Sequence, residues 1–329
     1  MRKGILIGGQ VCVDITYPIS AYPAESALTE ITAEKRLSVG GIVSNTLFSI
    51  ARLDSGFPLG ASCLIGEDEE GDYLLSEFRK FPNIDISRIN RRGKTGFTNV
   101  MYSESAHTRT FFYHEGGNGA YDGNDIDWDE MDLELVHLGY MCLCPALDAE
   151  DAEYGTHLAR LLHEAKAHGH KTSVDAVTTT AEKYAQIVPP ALRYTDYCTV
   201  NELEAGFITG IPLREADGTL LPERIPEALQ KLLSMGVSTW AVIHAPEGGF
   251  GMDSDGQFYE FPSVHLPDGY IKGTTGAGDA FTAGILYAAE CGVSLPEALK
   301  WAVFTAAASL SEKDSNSGIP PISELLKRF

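Results

Sequence analysis

Short apolar runs alternate with helical periodicity along most of the chain. Ile5–Gly8, Ala61–Ile65, Leu135–Leu138, Thr172–Val174, Tyr197–Val200 and Trp240–Ile243 read as core strands. Each is short, rich in β-favouring residues and followed by polar or glycine positions. Between them, Leu47, Ile50, Ala51 and Leu53 recur at the three-to-four spacing of a buried helix face. Tyr154, His157, Leu158, Leu161 and Leu162 form a second such face, and 296–310 a third, with Pro296 tolerated at a first helical turn. Strands that alternate with helices predict an α/β fold with a mainly parallel sheet covered on both faces.

Two stretches interrupt this alternation. Ile15–Val39 carries Pro18 and Pro23 and then the strand-like Leu28-Thr29-Glu30-Ile31. Thr95–Tyr113 holds two β-favouring runs, 96–102 and 108–113, around a polar turn at 103–107. Together they predict a small sheet, either a lid that excludes water from a site or a surface hairpin. A strand pair of this size needs a sheet, helix or second subunit to cover it, which leaves a homodimer through the lid open. No long Ser/Gly-rich linker divides the chain, so 1–329 is expected to be one domain with lid segments near 15–39 and 95–113.

The most informative chemistry lies at Ile271-Lys272-Gly273-Thr274-Thr275-Gly276-Ala277-Gly278-Asp279, where small residues meet a carboxylate at the start of an apolar helix. First-turn amides lack intrahelical acceptors, and glycines let an anion approach them. Asp279 beside Gly276, Ala277 and Gly278 suits a base next to an anion hole, as phosphoryl transfer to a hydroxyl requires. The same pattern also reads as a capped helix with an acidic first turn. A second glycine pair, Gly40-Gly41, precedes Asn45 at the start of another helix, and Asp14 follows the first strand. Asp14, Gly40, Gly41 and Asn45 would suit a polyol, since an ionised Asp accepts from hydroxyls and Asn can donate or accept. Taken singly, Asp14 reads as a turn residue and Asn45 as a helix cap.

These residues carry a resemblance. Gly40-Gly41-Ile42-Val43-Ser44-Asn45 and Thr274-Thr275-Gly276-Ala277-Gly278-Asp279 resemble the N-terminal and C-terminal signatures of PfkB-type carbohydrate kinases of the ribokinase-like family, and Asn201-Glu202-Leu203-Glu204 resembles its Asn-x-x-Glu element. The likeness spans essentially the whole chain. It implies a three-layer ribokinase-like fold with a small β-sheet lid, ATP as phosphoryl donor, Asp279 as base and the 276–279 backbone as anion hole. It also implies that Asn201 and Glu204 organise Mg²⁺ and phosphate, largely through water, with Glu204 the metal-side carboxylate. Magnesium chemistry agrees, because the ion keeps several waters that a distant carboxylate can orient. Read without the resemblance, Asn201 and Glu204 form a strand-to-helix junction.

The chain departs from the family pattern at three positions. Gly273 stands where many relatives carry Asp in a monovalent-cation region, which makes dependence on K⁺ an open point. Val242–Gly249, with His244 and Gly249, resembles the nucleotide-side strand and turn, but Pro246 replaces a usual Gly and removes an amide donor. Ser309–Pro320, including Ser311, resembles the adenine-side and cation-side loop, with Asp314 at a common glycine position. Thr274 and Thr275 complete the expected nucleotide-side set.

Composition narrows the classes further. With 329 residues and 44% hydrophobic content the chain can bury a large core. A net charge of −21 argues against a nucleic-acid footprint and favours a neutral acceptor over a highly phosphorylated one. The six cysteines lack zinc spacing and read as reduced thiols, while no apolar run resembles a signal peptide or a membrane span. A cytoplasmic enzyme is the expectation. Arg109 reads either as a substrate contact or as an outward cation, and His137 as a core histidine rather than a ligand. A kinase acting on a sugar hydroxymethyl group leads, with a nucleoside kinase and a catalytically silent binding protein as alternatives.

Overall fold

A computed structural model describes residues 2–329. Nine strands build the large sheet. From one edge to the other they run Phe258–Pro262, Gly248–Asp253, Trp240–Ala245, Tyr197–Asn201, Lys171–Ala176, Leu135–Met141, Ile5–Gly8, Leu59–Ile65 and Ile84–Arg91. Neighbours from Trp240–Ala245 through Ile84–Arg91 pair in parallel, and the first two strands close that edge as an antiparallel meander.

Alternation along the strands separates two apolar layers. Ile5 and Ile7 join one core with helices 42–53, 277–290 and 295–309, whereas Leu6 joins the other with helices 157–167, 181–192 and 225–234. Helices on both faces therefore bury both sides of a parallel sheet, as its near-continuous apolar strands require. All six expected core strands are present, most of them extended by one to three residues. Tyr154 is not on its expected helix. Thr156 caps that helix by accepting from Ala159 N at 3.1 Å, so Tyr154 lies in the turn before it and packs on His163.

A separate four-stranded sheet has the order Arg36–Gly40, Cys12–Ile19, Phe97–Ser103, Thr108–His114. Both interrupted segments contribute to it, but the first strand begins at Cys12 and already contains Asp14. Leu28–Ile31 forms no strand. Only Ile31 bridges to Ile19, and Leu28 is 98% exposed, because the polar stretch around it offers no apolar face to bury. The strand partner of Cys12–Ile19 is instead Arg36–Gly40, which leads straight into the helix that carries Asn45. Among the described residues no helix is long and apolar enough to cross a membrane.

Candidate active site

Two helix starts meet at the centre of the molecule. Gly276 adopts the left-handed region (φ 78°) and ends its loop so that helix Ala277–Glu290 begins with Asp279 in its first turn. A side chain at 276 would strike Ser315 at 2.3 Å. Gly41 opens helix Ile42–Leu53 at φ 89°, where a Cβ would meet the Gln10 side chain at 2.1 Å. Gly40 leaves room for the Asp14 carboxylate, which a Cβ at 40 would meet at 2.7 Å. Both signatures thus use glycine for close approach rather than for flexibility.

Asn45 donates from Nδ2 to Asp279 Oδ2 at 2.7 Å, and the Tyr140 hydroxyl donates to both Asp279 oxygens at 3.0 Å. The Ser315 hydroxyl donates to Asn45 Oδ1 at 2.6 Å, Asn316 Nδ2 donates to Ser315 Oγ at 3.2 Å, and Arg52 Nε donates to Asn316 Oδ1 at 3.1 Å. Asp279 is buried, and loss of hydration pushes its carboxyl up to about 6 against the two side-chain donors that hold it down. It is therefore ionised at neutral pH. Asp14, half-buried, also rises to about 6 through desolvation, with Cys12 and Thr98 as donors.

A cavity of about 250 Å³ opens beside Asp279, lined by Tyr140, Asp175, Asn201, Glu204, His244, Thr274 and the 276–278 backbone. Asn201 caps helix Glu202–Thr209 and forms a reciprocal capping box, with Glu204 Oε2 accepting from Asn201 N at 2.9 Å. Burial pushes Glu204 up to about 7, and its other oxygen accepts from Thr178 at 3.2 Å. Asp175, at the end of strand Lys171–Ala176, is held well above the usual carboxylate range, mainly by burial. His244 packs on Phe281 and burial lowers it to about 4, so it is neutral.

A second, narrow cavity of about 30 Å³ lies under the small sheet between Asp14, Ser38, Val100, Arg109, Thr275 and Ser315. Arg109, on the small sheet, donates to the Thr275 hydroxyl in the turn that precedes helix Ala277–Glu290. Thr274 and Thr275 thus face different cavities. Asp14, Arg109 and Thr275 line the smaller space, and Asn201, Glu204, His244, Thr274 and 276–279 the larger. Asn45 lines neither but bonds to Asp279 and Ser315 between them, while Gly40 and Gly41 pack beside Asp14 and Gln10.

Gly249 and Ser311 sit outside both cavities. Gly249 pairs with His244 in the edge meander and packs on Phe281, where a Cβ would meet the ring at 2.8 Å. Ser311 donates to Ala308 O at 2.8 Å and closes the end of helix Leu295–Ser309. The turn at Pro246-Glu247 is clamped by Arg214, which donates to both Glu247 oxygens at 2.9 Å and to Glu202 at 2.6 Å. His137 is buried, lowered to about 3, with Ser173 as ring partner. Five of the six free cysteines are buried, and Cys291 is exposed.

Tyr140, Asp175 and Ser315 were not legible as site residues. Asp175 carried one usable signal, a carboxylate directly after a core strand, since ligands in parallel sheets gather at strand carboxyl ends.

An open α/β sheet with a glycine-bordered carboxylate at a helix start, facing a cleft at strand ends, defines a small-molecule phosphotransferase class of site. The profile of the pfkB carbohydrate kinases matches residues 10–322, so the chain belongs to the pfkB carbohydrate kinase family. It is 24% identical to ketohexokinase of Mus musculus over 306 residues, covering 91% of this chain and 93% of that protein. It is 24% identical to ribokinase of Haemophilus influenzae over 334 residues, covering 99% and 98%. The fold matches Arabidopsis thaliana ribokinase complexed with ribose and ATP (TM-score 0.81, 20% identity, 99% and 98% covered). It also matches the nucleoside kinase of Methanocaldococcus jannaschii (TM-score 0.76, 17% identity, 99% and 98% covered).

Proposed function

We propose that this carbohydrate kinase transfers the γ-phosphoryl group of ATP to a hydroxymethyl hydroxyl of a small sugar, with Asp279 as base. The observation that carries this reading is the Asp279 carboxylate, ionised at neutral pH and fixed by Asn45 and Tyr140 at the head of the 276–279 amides. An acceptor hydroxyl on the Asp14 side gives its proton to Asp279 as its oxygen bonds to the phosphorus. The bond from the γ-phosphorus to the bridging oxygen breaks, and ADP leaves. The first-turn amides of Ala277, Gly278 and Asp279 supply donors for charge on the transferring oxygens.

Asp14 and Asn45 suit the sugar, and Arg109 completes its ring of polar groups from the small sheet. On the ATP side, Thr274, His244 and Asn201 border the larger cavity. Gly249 supports that wall only through Phe281. Ser311 has no side-chain path to the cleft while it donates to Ala308.

Mg²⁺ fits the donor set by way of water. Among the described residues no group of three His, Cys, Asp or Glu side chains is placed to hold a metal directly, whereas Glu204 and Asn201 present oxygens along the cleft. Bound with ATP, the ion would supply charge neutralisation at the phosphates, and Glu204 would orient its water shell. For K⁺, the carbonyls of Glu312 and Lys313 face Gly273, at 3.0 and 3.1 Å from a Cβ position there. Arg109 Nη2 stands 3.3 Å from the same position, so a cation there would have to share the space with a guanidinium. The net charge of −21 favours small molecules over nucleic acid as partners.

The test is ATP consumption across ribose, fructose, 2-keto-3-deoxygluconate, adenosine, inosine and pseudouridine, with product mass as confirmation. Sugar phosphate is expected. Turnover of nucleosides alone would replace the sugar reading with the nucleoside one, which Val100 and Phe111 beside Asp14 could serve as an apolar wall.

A further inference from the structure

Tyr140 is a non-glycine residue in the left-handed region, at φ 60°. Such backbone is costly for a residue with a Cβ and persists only where its surroundings enforce it. The cause here is a bulge. Along strand Leu135–Met141, Leu138 pairs with Val174 and Met141 with Ala176, so Gly139 and Tyr140 together stand opposite Asp175. Bulges beside active sites turn a side chain in a direction that regular pairing would not give it.

Asp175 and Gly139 hold the distortion in place. The Tyr140 amide donates to the buried Asp175 carboxylate. A Cβ at 139 would lie 2.8 Å from that same oxygen and 2.5 Å from Ile42, so only glycine fits before the tyrosine. The outcome is a phenol oxygen 3.0 Å from each oxygen of Asp279, although the two residues belong to different elements 139 positions apart.

We propose that Tyr140 is a positioning residue for phosphoryl transfer, a phenol that a bulge anchored on Asp175 aims at Asp279 to orient its carboxylate and keep it ionised. This rests on the reading of Asp279 as base. During transfer the sugar proton moves to Asp279 and Tyr140 keeps its own. Burial and the nearby Asp279 and Asp175 carboxylates hold the phenol well above its usual range, so it remains a donor at neutral pH. The other groups facing Asp279 are Asn45 in contact, Asp14, Asp175 and Glu204 at longer range, Arg109 at Thr275, and neutral His244 against Phe281. Tyr140 and Asn45 alone donate to the carboxylate among the described residues.

Tyr140→Phe keeps the ring and removes the hydroxyl. The Asp279 carboxyl is followed by ¹³C NMR titration without substrates, its resonance assigned by its loss in Asp279→Asn. Loss of a donor to the charged form should raise its titration midpoint by about one pH unit. The acid limb of kcat should move by the same amount, with kcat down roughly tenfold at pH 8 and KM for ATP unchanged. An unmoved midpoint with unchanged kcat overturns the proposal. Normal turnover in Asp279→Asn would instead overturn the base reading, and the titration would still decide the Tyr140–Asp279 bond. Should Tyr140→Phe not fold, Asp279→Asn supplies the reciprocal measurement. The Tyr140 ring carbon should then titrate at lower pH than in the wild type, and no change there overturns the proposal equally.

Discussion

Asn45 and Asp279, 234 positions apart, join the first turns of two helices through one 2.7 Å hydrogen bond from Nδ2 to Oδ2. The other end of the same amide accepts from Ser315 at 2.6 Å, so its orientation is fixed from both sides. On the proposed reading, Asn45 would serve the base as well as the acceptor side. Asn45→Ala should lower kcat/KM for the sugar by roughly 10- to 100-fold while KM for ATP changes little. Asn45→Asp should be worse, because it sets two carboxylates against each other. Steady-state kinetics with each substrate varied in turn checks this, and equal losses on both axes would move Asn45 out of the acceptor site.

Asp279→Asn tests the base and the electrostatics together. Turnover should fall by roughly 10²- to 10⁴-fold in a folded protein that still binds ATP. The sign of the stability effect follows from a carboxyl raised from 3.8 to about 6 on folding. Between those values the folded state binds more protons than the unfolded one, so this group's contribution falls as pH rises from about 4 to 6 and stays lost above. Removing the charge should raise Tm by a few degrees at pH 8, on the order of 3 °C, with the gap closing near pH 4. A gap independent of pH would mean that packing, not charge, sets the difference.

The parts of the fold legible in the sequence were those where one local rule acts alone. Ile5–Gly8 and Tyr197–Val200 are buried on both faces, so plain apolar runs marked them. Ile84–Arg91, an edge strand with mostly polar or charged side chains, gave no such signal. The glycine signatures were readable because backbone approach restricts residue type locally. Tyr140 was not readable, since its aim depends on a register slip against Asp175, which no local pattern encodes. Gly249 and Ser311 show the reverse case. Their positions resemble nucleotide contacts in sequence, while the packing each joins, against Phe281 and onto the Ala308 carbonyl, becomes visible only in the fold.

Glu204→Gln can keep the capping acceptor for Asn201 while it removes the charge and turns the oxygen that accepts from Thr178 into an amide donor, to which the Thr178 hydroxyl can adapt by rotating. The variant should need several-fold more Mg²⁺ for half-maximal rate, with sugar affinity nearly unchanged, because the residue acts through the ion's water shell. A magnesium titration at fixed ATP, paired with calorimetric sugar binding, separates the two. An unaltered metal response would leave Glu204 as a helix cap only.

Arg109 reaches from the small sheet to the Thr275 hydroxyl, one residue before the Gly276 helix start, and so ties the four-stranded sheet to the loop that carries Asp279. The cavity beneath it measures about 30 Å³, enough for a water molecule or two and too small for a sugar. A sheet that lifts and then settles again would admit a sugar there. Substrate should therefore slow hydrogen exchange in both 15–39 and 95–113, and Arg109→Ala should weaken that protection. The variant should also hydrolyse ATP without transfer several-fold faster relative to sugar phosphorylation, because closure keeps water from the phosphoryl group. Normal turnover with unchanged exchange in both segments at saturating sugar would exclude a closing lid. The face of the same sheet turned away from that cavity exposes Leu37 and Phe112 at 46% and 48%, in register across Ile15 and Asn99, an apolar pair that a second copy of the chain could cover. Light scattering over a concentration series reads this directly: a dimer whose dissociation follows Phe112→Ser would couple closure to assembly, and a monomer at every concentration would leave the lid to act alone.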